Sequence, residues 1–540
     1  MISEYHGRLV NGLADRLIER LRAVGTRTLF GVPGGGGNLR LIEAAGQAGL
    51  PFVLTTTETG AAIAAIAQAE ITGCPGACLT TLGPGASSVL NGVACAHLER
   101  APIFVFTDNY ASDEIGTFEH QALPHKALFQ RVTSESLSLA PEHALRSIEQ
   151  AFASIAARPP GPIHLDCPAD FESALRPTAY LVGRPHEPEP AAADRVRMED
   201  TLGRARKPLV IVGLGARRED DAMAIRQFCE RNELPAMVTY KAKGVVPDVH
   251  PCFAGVFTNG AIEREIVNQS DLLIGLGLDP VELLPRPWTI AQPIVGIAGW
   301  TMSNSQVPFS VQWVSEVSAG LETIEPWLQP SGWDLAAVAR VVTNQRLRVD
   351  VKGTGMTSSR VVDVTAQALA STCRVTVDAG AHMFPATMRW PVTEPNGMLI
   401  SNGLSTMGFA LPAAIGAALV DRTRRVVALT GDGGLLMCAG ELVTAVREKL
   451  SLIVIVFDDA SLSLIEIKQQ ARQLPPAGVD LGVVKWRALA ESFGVASFEA
   501  STEDDLGRAI EQASACSGPS LIDAKIDRST YGDMLKTIRG

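Results

Sequence analysis

Residues 426–470 read VVALTGDGGLLMCAGELVTAVREKLSLIVIVFDDASLSLIEIKQQ. Two short, mostly β-branched apolar runs, Val426–Thr430 and Leu452–Phe457, have the length and composition of buried strands. The first ends in Gly431-Asp432-Gly433-Gly434 and the second in Asp458-Asp459. Between them, Leu435–Leu450 has helical spacing, with Glu441 early and Arg447 and Lys449 late. That charge order suits the helix dipole. The stretch predicts a βαβ unit with its carboxylates at the C-terminal ends of adjacent parallel strands, where open α/β sheets bind ligands.

The chemistry follows from that placement. Gly431, Gly433 and Gly434 let backbone N–H groups approach a phosphate at a helix start. Mg²⁺ takes a few protein oxygens and completes its shell with water and substrate phosphate. Asp432 and Asp459 lie 459 − 432 = 27 residues apart and would supply two ligands, with the Ser461 carbonyl as a third. The alternative, an ordinary βαβ loop with solvated aspartates, stays open on this motif alone. A Gly-Asp-Gly followed at this spacing by an acidic or amide pair resembles the signature of the thiamin-diphosphate enzymes, in which the second member of the pair binds the metal. Here the pair is Asp458-Asp459, where most relatives have Asn-Asn or Asn-Asp. The extra charge at Asp458 has no account in the sequence.

A chain of 540 residues has room for three or four domains. The net charge of −11 argues against a nucleic-acid partner. No apolar run reaches a membrane-spanning length, and the first residues lack the order of a signal peptide, so neither a membrane nor a secretory route is expected. Nine scattered cysteines without zinc spacing read as reduced thiols, which suits the cytoplasm.

The front of the chain alternates strand and helix. Leu9–Val24 reads as a helix. The strand Thr28–Val32 ends in Pro33 and Gly34–Gly37, and Phe52–Thr57 ends at Glu58. A helix over Thr59–Thr72 follows, then the strand Ala77–Leu82 closed by Gly83-Pro84-Gly85, a helix over Ser87–Leu98 and the strand Ile103–Thr107. This is the pattern of a doubly wound parallel sheet. By itself Glu58 is better read as an acid favoured by a helix dipole.

The segment from Glu58 to Ser88 resembles the pyrimidine-binding part of acetolactate-synthase-like enzymes, which place a glutamate 25 residues before the first glycine of Gly-Pro-Gly; here 83 − 58 = 25. The resemblance implies that Glu58 hydrogen-bonds the aminopyrimidine and promotes formation of the reactive carbanion. It also implies that Gly34, Gly35 and Gly36 line the substrate pocket, with Val32 replacing a common tyrosine, and that Gly83 touches cofactor. Gln121 falls where the family has a pocket glutamine. His120, beside it, reads either as a proton-transfer group or as a surface loop histidine; His125 carries less.

Residues 183–196, rich in Pro, Glu and Ala, read as a linker, and a second linker surrounds Gln329–Trp333. Between them a middle α/β domain is expected, with strands at Pro208–Val212, Ala236–Thr239, Asp271–Gly277 and Ile294–Ile297. Gly213-Leu214-Gly215 lacks the third glycine of a dinucleotide fingerprint. The loop that FAD-type relatives carry is absent from 276–288, which argues against FAD. Arg286 and Arg217-Arg218 read as solvated surface or as contacts to an anion.

After helices reaching about Ala368, Arg374–Val377 ends in Asp378-Ala379-Gly380-Ala381-His382. The resemblance puts diphosphate contacts at this turn, on Asp378, Gly380, Ala381 and His382. In SNGLSTMGFALPAAIGAAL (401–419) it puts Met407 as the wedge that bends the cofactor and the Ser405 carbonyl as a contact to its amino group. Ser405 stands where relatives often have glycine. Leu464 and Lys468, at i and i+4, share a helical face over the expected thiazolium. Lys468 stands where acetolactate synthases often have Trp and reads as orienting an anionic group or as a solvated lysine. The tail after 500 gives a helix, the strand Ser520–Ile526 and a segment able to cover the site.

The resulting expectation is three doubly wound α/β domains: pyrimidine-binding (1–182), middle (197–330) and diphosphate-binding (352–540). The function expected is a thiamin-diphosphate- and Mg²⁺-dependent carboligase or decarboxylase acting on a 2-oxo acid of the pyruvate type through an enamine. A lyase or decarboxylase of 2-hydroxyacyl-CoA, oxalyl-CoA or aromatic 2-oxo acids, or a benzaldehyde-lyase-like carboligase, is the alternative. The resemblance further implies a homodimer or homotetramer in which Glu58 of one subunit faces Asp432 of another.

Overall fold

The computed structural model describes residues 12–173, 192–302 and 306–540. The chain forms three six-stranded parallel sheets, each flanked by helices. The first contains β1 (Leu29–Val32), β2 (Phe52–Leu54), β3 (Gly76–Thr80), β4 (Ile103–Asn109), β5 (Glu135–Ser138) and β6 (Ile163–Pro168), ordered β2-β1-β3-β4-β6-β5. The second contains β7 (Pro208–Val212), β8 (Ala236–Val238), β9 (Phe253–Val256), β10 (Leu272–Leu276), β11 (Ile294–Ala298) and β12 (Phe309–Val314), ordered β12-β11-β10-β7-β8-β9. The third contains β13 (Arg374–Val377), β14 (Met398–Ile400), β15 (Val426–Gly431), β16 (Leu452–Asp458), β17 (Ala496–Ala500) and β18 (Ser520–Lys525), ordered β14-β13-β15-β16-β18-β17.

The central strands are near-continuous Val, Ile, Leu and Ala runs because helices cover both faces of each sheet. By contact, the chain divides into two compact units, residues 1–185 and 186–540. The second and third sheets share the latter.

β15 and β16 pair in register from Val426↔Leu452 to Gly431↔Phe457, so the Gly431–Gly434 turn and the Asp458-Asp459 pair emerge side by side. The expected helix Leu435–Leu450 is two helices, Asp432–Cys438 and Glu441–Arg447. The first begins at Asp432 itself, which puts the glycines inside its first turn. The edge strands β5, β9, β12, β14 and β17 were missed, because they are short or carry polar and exposed positions that blur the apolar run. Of the expected linker at 183–196, residues 183–191 lie outside the described residues. Its end is helix Ala192–Arg204, which buries Met198 and Leu202. The start of the expected helix at Leu9 is likewise outside them; the helix runs Leu13–Ala23.

Candidate cofactor site

The C-terminal ends of β13, β15 and β16 open into a cavity of about 340 Å³, within the range of small-molecule sites. Asp432, Asp459 and Ser461 share its wall with Gly431, Gly433 and Gly434. Asp432 is buried, its Oδ1 accepts the Gly433 N–H at 2.7 Å, and its Oδ2 has no protein partner. Burial and the neighbouring Asp459 push its pKa up to about 7; burial pushes Asp459 to about 6. Paired carboxylates held this way favour a cation between them. Among the described residues no three His, Cys, Asp or Glu side chains cluster as a metal site. Two carboxylates and a backbone carbonyl suit Mg²⁺, which keeps water and phosphate oxygens in its shell. The donor set and the orphaned Oδ2 therefore fit the magnesium diphosphate that the sequence implies.

Asp459 is aimed by its own loop: Oδ1 accepts from Ser461 N at 3.0 Å and Oδ2 from Ser463 Oγ at 2.7 Å, at the start of helix Ser463–Ala471. The unexplained charge of Asp458 has a local answer. β16 pairs with β18 so that Asp458 sits opposite Lys525, and the Lys525 ammonium bonds both Asp458 and, at 2.8 Å, Asp523. Lys525 thus holds two buried carboxylates behind the cation seat.

The cradle is glycine for steric reasons. A Cβ on Gly433 would lie 2.8 Å from Leu462 Cδ2, and one on Gly434 would collide with the Asp378 carboxylate. Asp378 itself stands behind the wall. Its Oδ2 accepts from Thr430 Oγ1 at 2.9 Å and Gly408 N at 3.1 Å; its Oδ1 accepts from Ala379 N at 2.8 Å and Phe409 N at 3.2 Å. With both oxygens engaged, Asp378 ties the β13 turn to the 401–409 loop and offers a ligand nothing directly. Gly380, Ala381 and His382 do line the cavity. His382 stacks on Phe457 at 5.0 Å, and burial pushes its pKa down to about 3, so its ring is neutral.

Met407 and Ser405 line the same cavity, Met407 close enough that its Cε would meet a Cβ on Gly433 at 3.3 Å, with Leu464 and Lys468 on one face of helix Ser463–Ala471. Ser405 has φ 55°, a left-handed conformation that glycine adopts without steric cost. Glycine at this position would remove that cost.

The first unit collects the other group of expected residues at its own strand ends. Glu58 opens helix Glu58–Thr72, capped by Thr57, whose hydroxyl accepts the Gly60 N–H at 3.0 Å. A Cβ on Gly85 would lie 3.3 Å from Glu58 Oε1, so the carboxylate faces the Gly-Pro-Gly turn. Gly83 (φ 59°) packs against Gln121, where a Cβ would meet the Gln121 carbonyl at 2.6 Å. His120 and Gln121 are exposed on the loop, which Tyr110 holds through a hydrogen bond from its hydroxyl to the His120 carbonyl. Gly34 and Gly36 press on the buried Asp108, whose Oδ1 accepts from Asn38 N at 2.6 Å; Gly35 faces open space. Asp108 escaped the sequence reading because it lies just past the apolar run, in the polar Thr107-Asp108-Asn109 end of the strand. His125, unlike His120, is buried, and its Nδ1 meets Asp166 Oδ1 at 2.9 Å.

Residues 12–133, 197–297 and 378–524 match three family descriptions: the N-terminal TPP binding domain, the central domain and the C-terminal TPP binding domain of thiamine pyrophosphate enzymes. The chain belongs to the thiamin-diphosphate enzymes. Among its curated relatives are an acetolactate synthase of Bacillus subtilis, 27% identical over 97% of both chains, and the large subunit of acetolactate synthase isozyme 2 of Escherichia coli, 28% identical over 96% of both. A probable 2-ketoarginine decarboxylase of Pseudomonas aeruginosa is 27% identical, covering 94% of this chain and 93% of its own.

In this thiamin-diphosphate enzyme the glycine turn after β7 is filled from within. Glu282 is buried; its Oε2 accepts the Leu214 N–H at 2.8 Å and its Oε1 a bond from Thr239 Oγ1. Gly213 and Gly215 pack closely: a Cβ on either would meet Gly277, Leu278 or Trp300. Arg217 is half-buried and bonds the Leu214 carbonyl and Asn396, whereas Arg218 is exposed and pairs with Glu316 at the surface, as the solvated reading expects. All nine cysteines are free, and no helix among the described residues is long and apolar enough to cross a membrane.

Proposed function

We propose that the enzyme binds thiamin diphosphate through Mg²⁺ on Asp432, Asp459 and the Ser461 carbonyl, and that it decarboxylates or ligates a 2-oxo acid of the pyruvate type. The observation that carries this is the buried Asp432 and the half-buried Asp459, both lining the cavity beside a glycine cradle that Met407 also borders. When bound, the cofactor would supply a nucleophilic carbanion and an electron sink for the bond that carbon dioxide leaves. The chain's residues hold the rest. Gly431 and Gly434 would present backbone N–H groups to the diphosphate, Gly433, whose N–H is held by Asp432 Oδ1, would leave it room, and the neutral His382 would border it. Met407 would pack against the cofactor rings, and the Ser405 carbonyl would accept from the cofactor amino group.

Glu58 is the acid for the pyrimidine ring. Gln121 orients the substrate over the room left at Gly34, Gly35 and Gly36, and His120 is the exposed group able to return a proton. Those residues reach the cofactor of a second copy, in a dimer or tetramer. Exposed apolar side chains support this: Met437 (61%) and Leu436 (43%) beside the cradle, and Leu54 (40%) at the end of the strand leading to Glu58. We further propose that the middle domain carries no FAD, because the Glu282 carboxyl fills its anion seat, and that the protein works in the cytoplasm, where nine free thiols persist.

Incubation with pyruvate, thiamin diphosphate and Mg²⁺ tests the reaction. Carbon dioxide with acetaldehyde marks a decarboxylase, and with acetolactate or acetoin a carboligase. No carbon dioxide removes pyruvate as the donor. CoA or ADP binding to the protein would favour the acyl-CoA lyase reading instead.

A further inference from the structure

The cavity has a wall that the cation seat and the cradle do not explain. Helix Tyr531–Arg539 packs against helix Ser463–Ala471, and its two end residues, Tyr531 and Arg539, line the cavity. The helix is fixed at its far end: Ala261 N and Ile262 N donate to the Ile538 carbonyl at 3.0 and 3.2 Å, and Arg286 Nη1 donates to the Arg539 carbonyl at 2.8 Å. The Arg539 guanidinium lies over the Phe384 ring at 4.5 Å. Stacking uses the face of the guanidinium and leaves its N–H edge for a planar anion. Its Nε is buried and has no partner. Burial and the nearby Arg286 both disfavour its charge. Lys468 lines the same cavity, and among the described residues neither cation pairs with a carboxylate. Lys468 is exposed and Arg539 half-buried, so the cost falls on the buried, unpartnered Nε–H of Arg539, which loses free energy unless a ligand accepts from it.

We propose that Arg539, with Lys468, recognises a carboxylate that the substrate keeps: the distal carboxylate of a 2-oxo diacid donor or the carboxylate of a 2-oxo acid acceptor. The inference rests on the function proposed above and narrows its substrate class. The leaving carboxylate is the weaker match on physical grounds. A cation that binds it tightly in the ground state deepens the well from which decarboxylation must climb. A retained carboxylate bears no such penalty. The same two cations repel a 2-oxo acid with a cationic side chain, the class named in the 2-ketoarginine decarboxylase relative.

The test uses the full chain with thiamin diphosphate and Mg²⁺. Steady-state rates are measured for 2-oxoglutarate, neutral 2-oxohexanoate and cationic 2-oxo-5-guanidinovalerate as donors, and for pyruvate against acetaldehyde as acceptors, in wild type, Arg539→Gln, Arg539→Lys and Lys468→Met. The proposal expects Arg539→Gln to raise KM for the diacid donor or the anionic acceptor by about tenfold or more, with neutral substrates changed less than about twofold and partial recovery in Arg539→Lys. The donor and acceptor arms show which retained carboxylate is held. Equal losses on charged and neutral substrates overturn it. So does weaker cofactor binding without charge selectivity, which would give Arg539 to the diphosphate. Calorimetric titration of glutarate, an unreactive dianion, into wild type and Arg539→Gln separates this from the functional reading. If no 2-oxo acid is turned over, the function fails; glutarate binding that is lost in Arg539→Gln still upholds the anion site, and binding that is absent or unchanged overturns it.

Discussion

Asp458 shows how much one side chain can depend on another far away in sequence. A second aspartate beside the cation ligand is a liability unless its charge is answered, and Lys525 answers it from the neighbouring strand while also holding Asp523. Lys525→Met is expected to destabilise the fold by about 2 kcal/mol, discounted from the cost of breaking a fully buried pair because Lys525 is partly exposed. Adding Asp458→Asn should recover most of that loss. Urea unfolding of the two single variants and the double variant measures the coupling, and simple additivity would show that the two do not act as a pair. Ser405 makes the opposite kind of statement. Its left-handed backbone predicts that Ser405→Gly gains about 0.5–1 kcal/mol of stability, read as a higher melting temperature. Glu58→Gln should lower turnover by a factor of about 10²–10⁴ with cofactor affinity little changed, since the residue is assigned proton chemistry rather than binding.

At the scale of elements, the parallel pair β15–β16 was legible because its apolar runs end in residues with one chemical use. The glycine turn and the acidic pair could be placed side by side from spacing alone, and the pairing Gly431↔Phe457 does so. What the sequence hid were partners brought in by tertiary packing. Lys525, Asp108 and Glu282 each lie in or next to a strand-like stretch, and nothing local marks them as facing a carboxylate, a glycine loop or a backbone donor. Asp378 was legible as part of the site but not in its role, because its hydrogen bonds reach residues 30 and 31 positions away.

The Glu282 element also carries a pH signature. Burial pushes its pKa up to about 8 from an ordinary value near 4.5, so the folded state holds a proton that the unfolded state releases. Its contribution is therefore most favourable below pH 4.5 and is lost as pH rises from there through 8. Glu282→Gln keeps an acceptor for the Leu214 N–H without that titration. Its stability relative to wild type should rise between pH 5 and pH 8. A pH-independent difference would contradict a buried, proton-holding Glu282.

For the whole molecule, three α/β layers of the expected kind are present, each a six-stranded parallel sheet, and both groups of expected residues sit at strand C-terminal ends. The sequence could foresee the layers because each repeats the same alternation of apolar run and glycine turn. It could not foresee which side chains would stay uncovered. Met437 and Leu436, exposed next to the cradle, predict a dimer or larger assembly. Analytical ultracentrifugation should show it, and Met437→Glu should weaken it. A wild-type monomer at micromolar concentration would leave that apolar surface unexplained.

The most direct measurement is calorimetric titration of thiamin diphosphate into the purified chain with and without Mg²⁺, in wild type and in Asp432→Ala. Saturable binding of one cofactor per chain that requires Mg²⁺ and disappears in Asp432→Ala is the predicted result. No binding to the wild type, or binding indifferent to both the cation and Asp432, would contradict it.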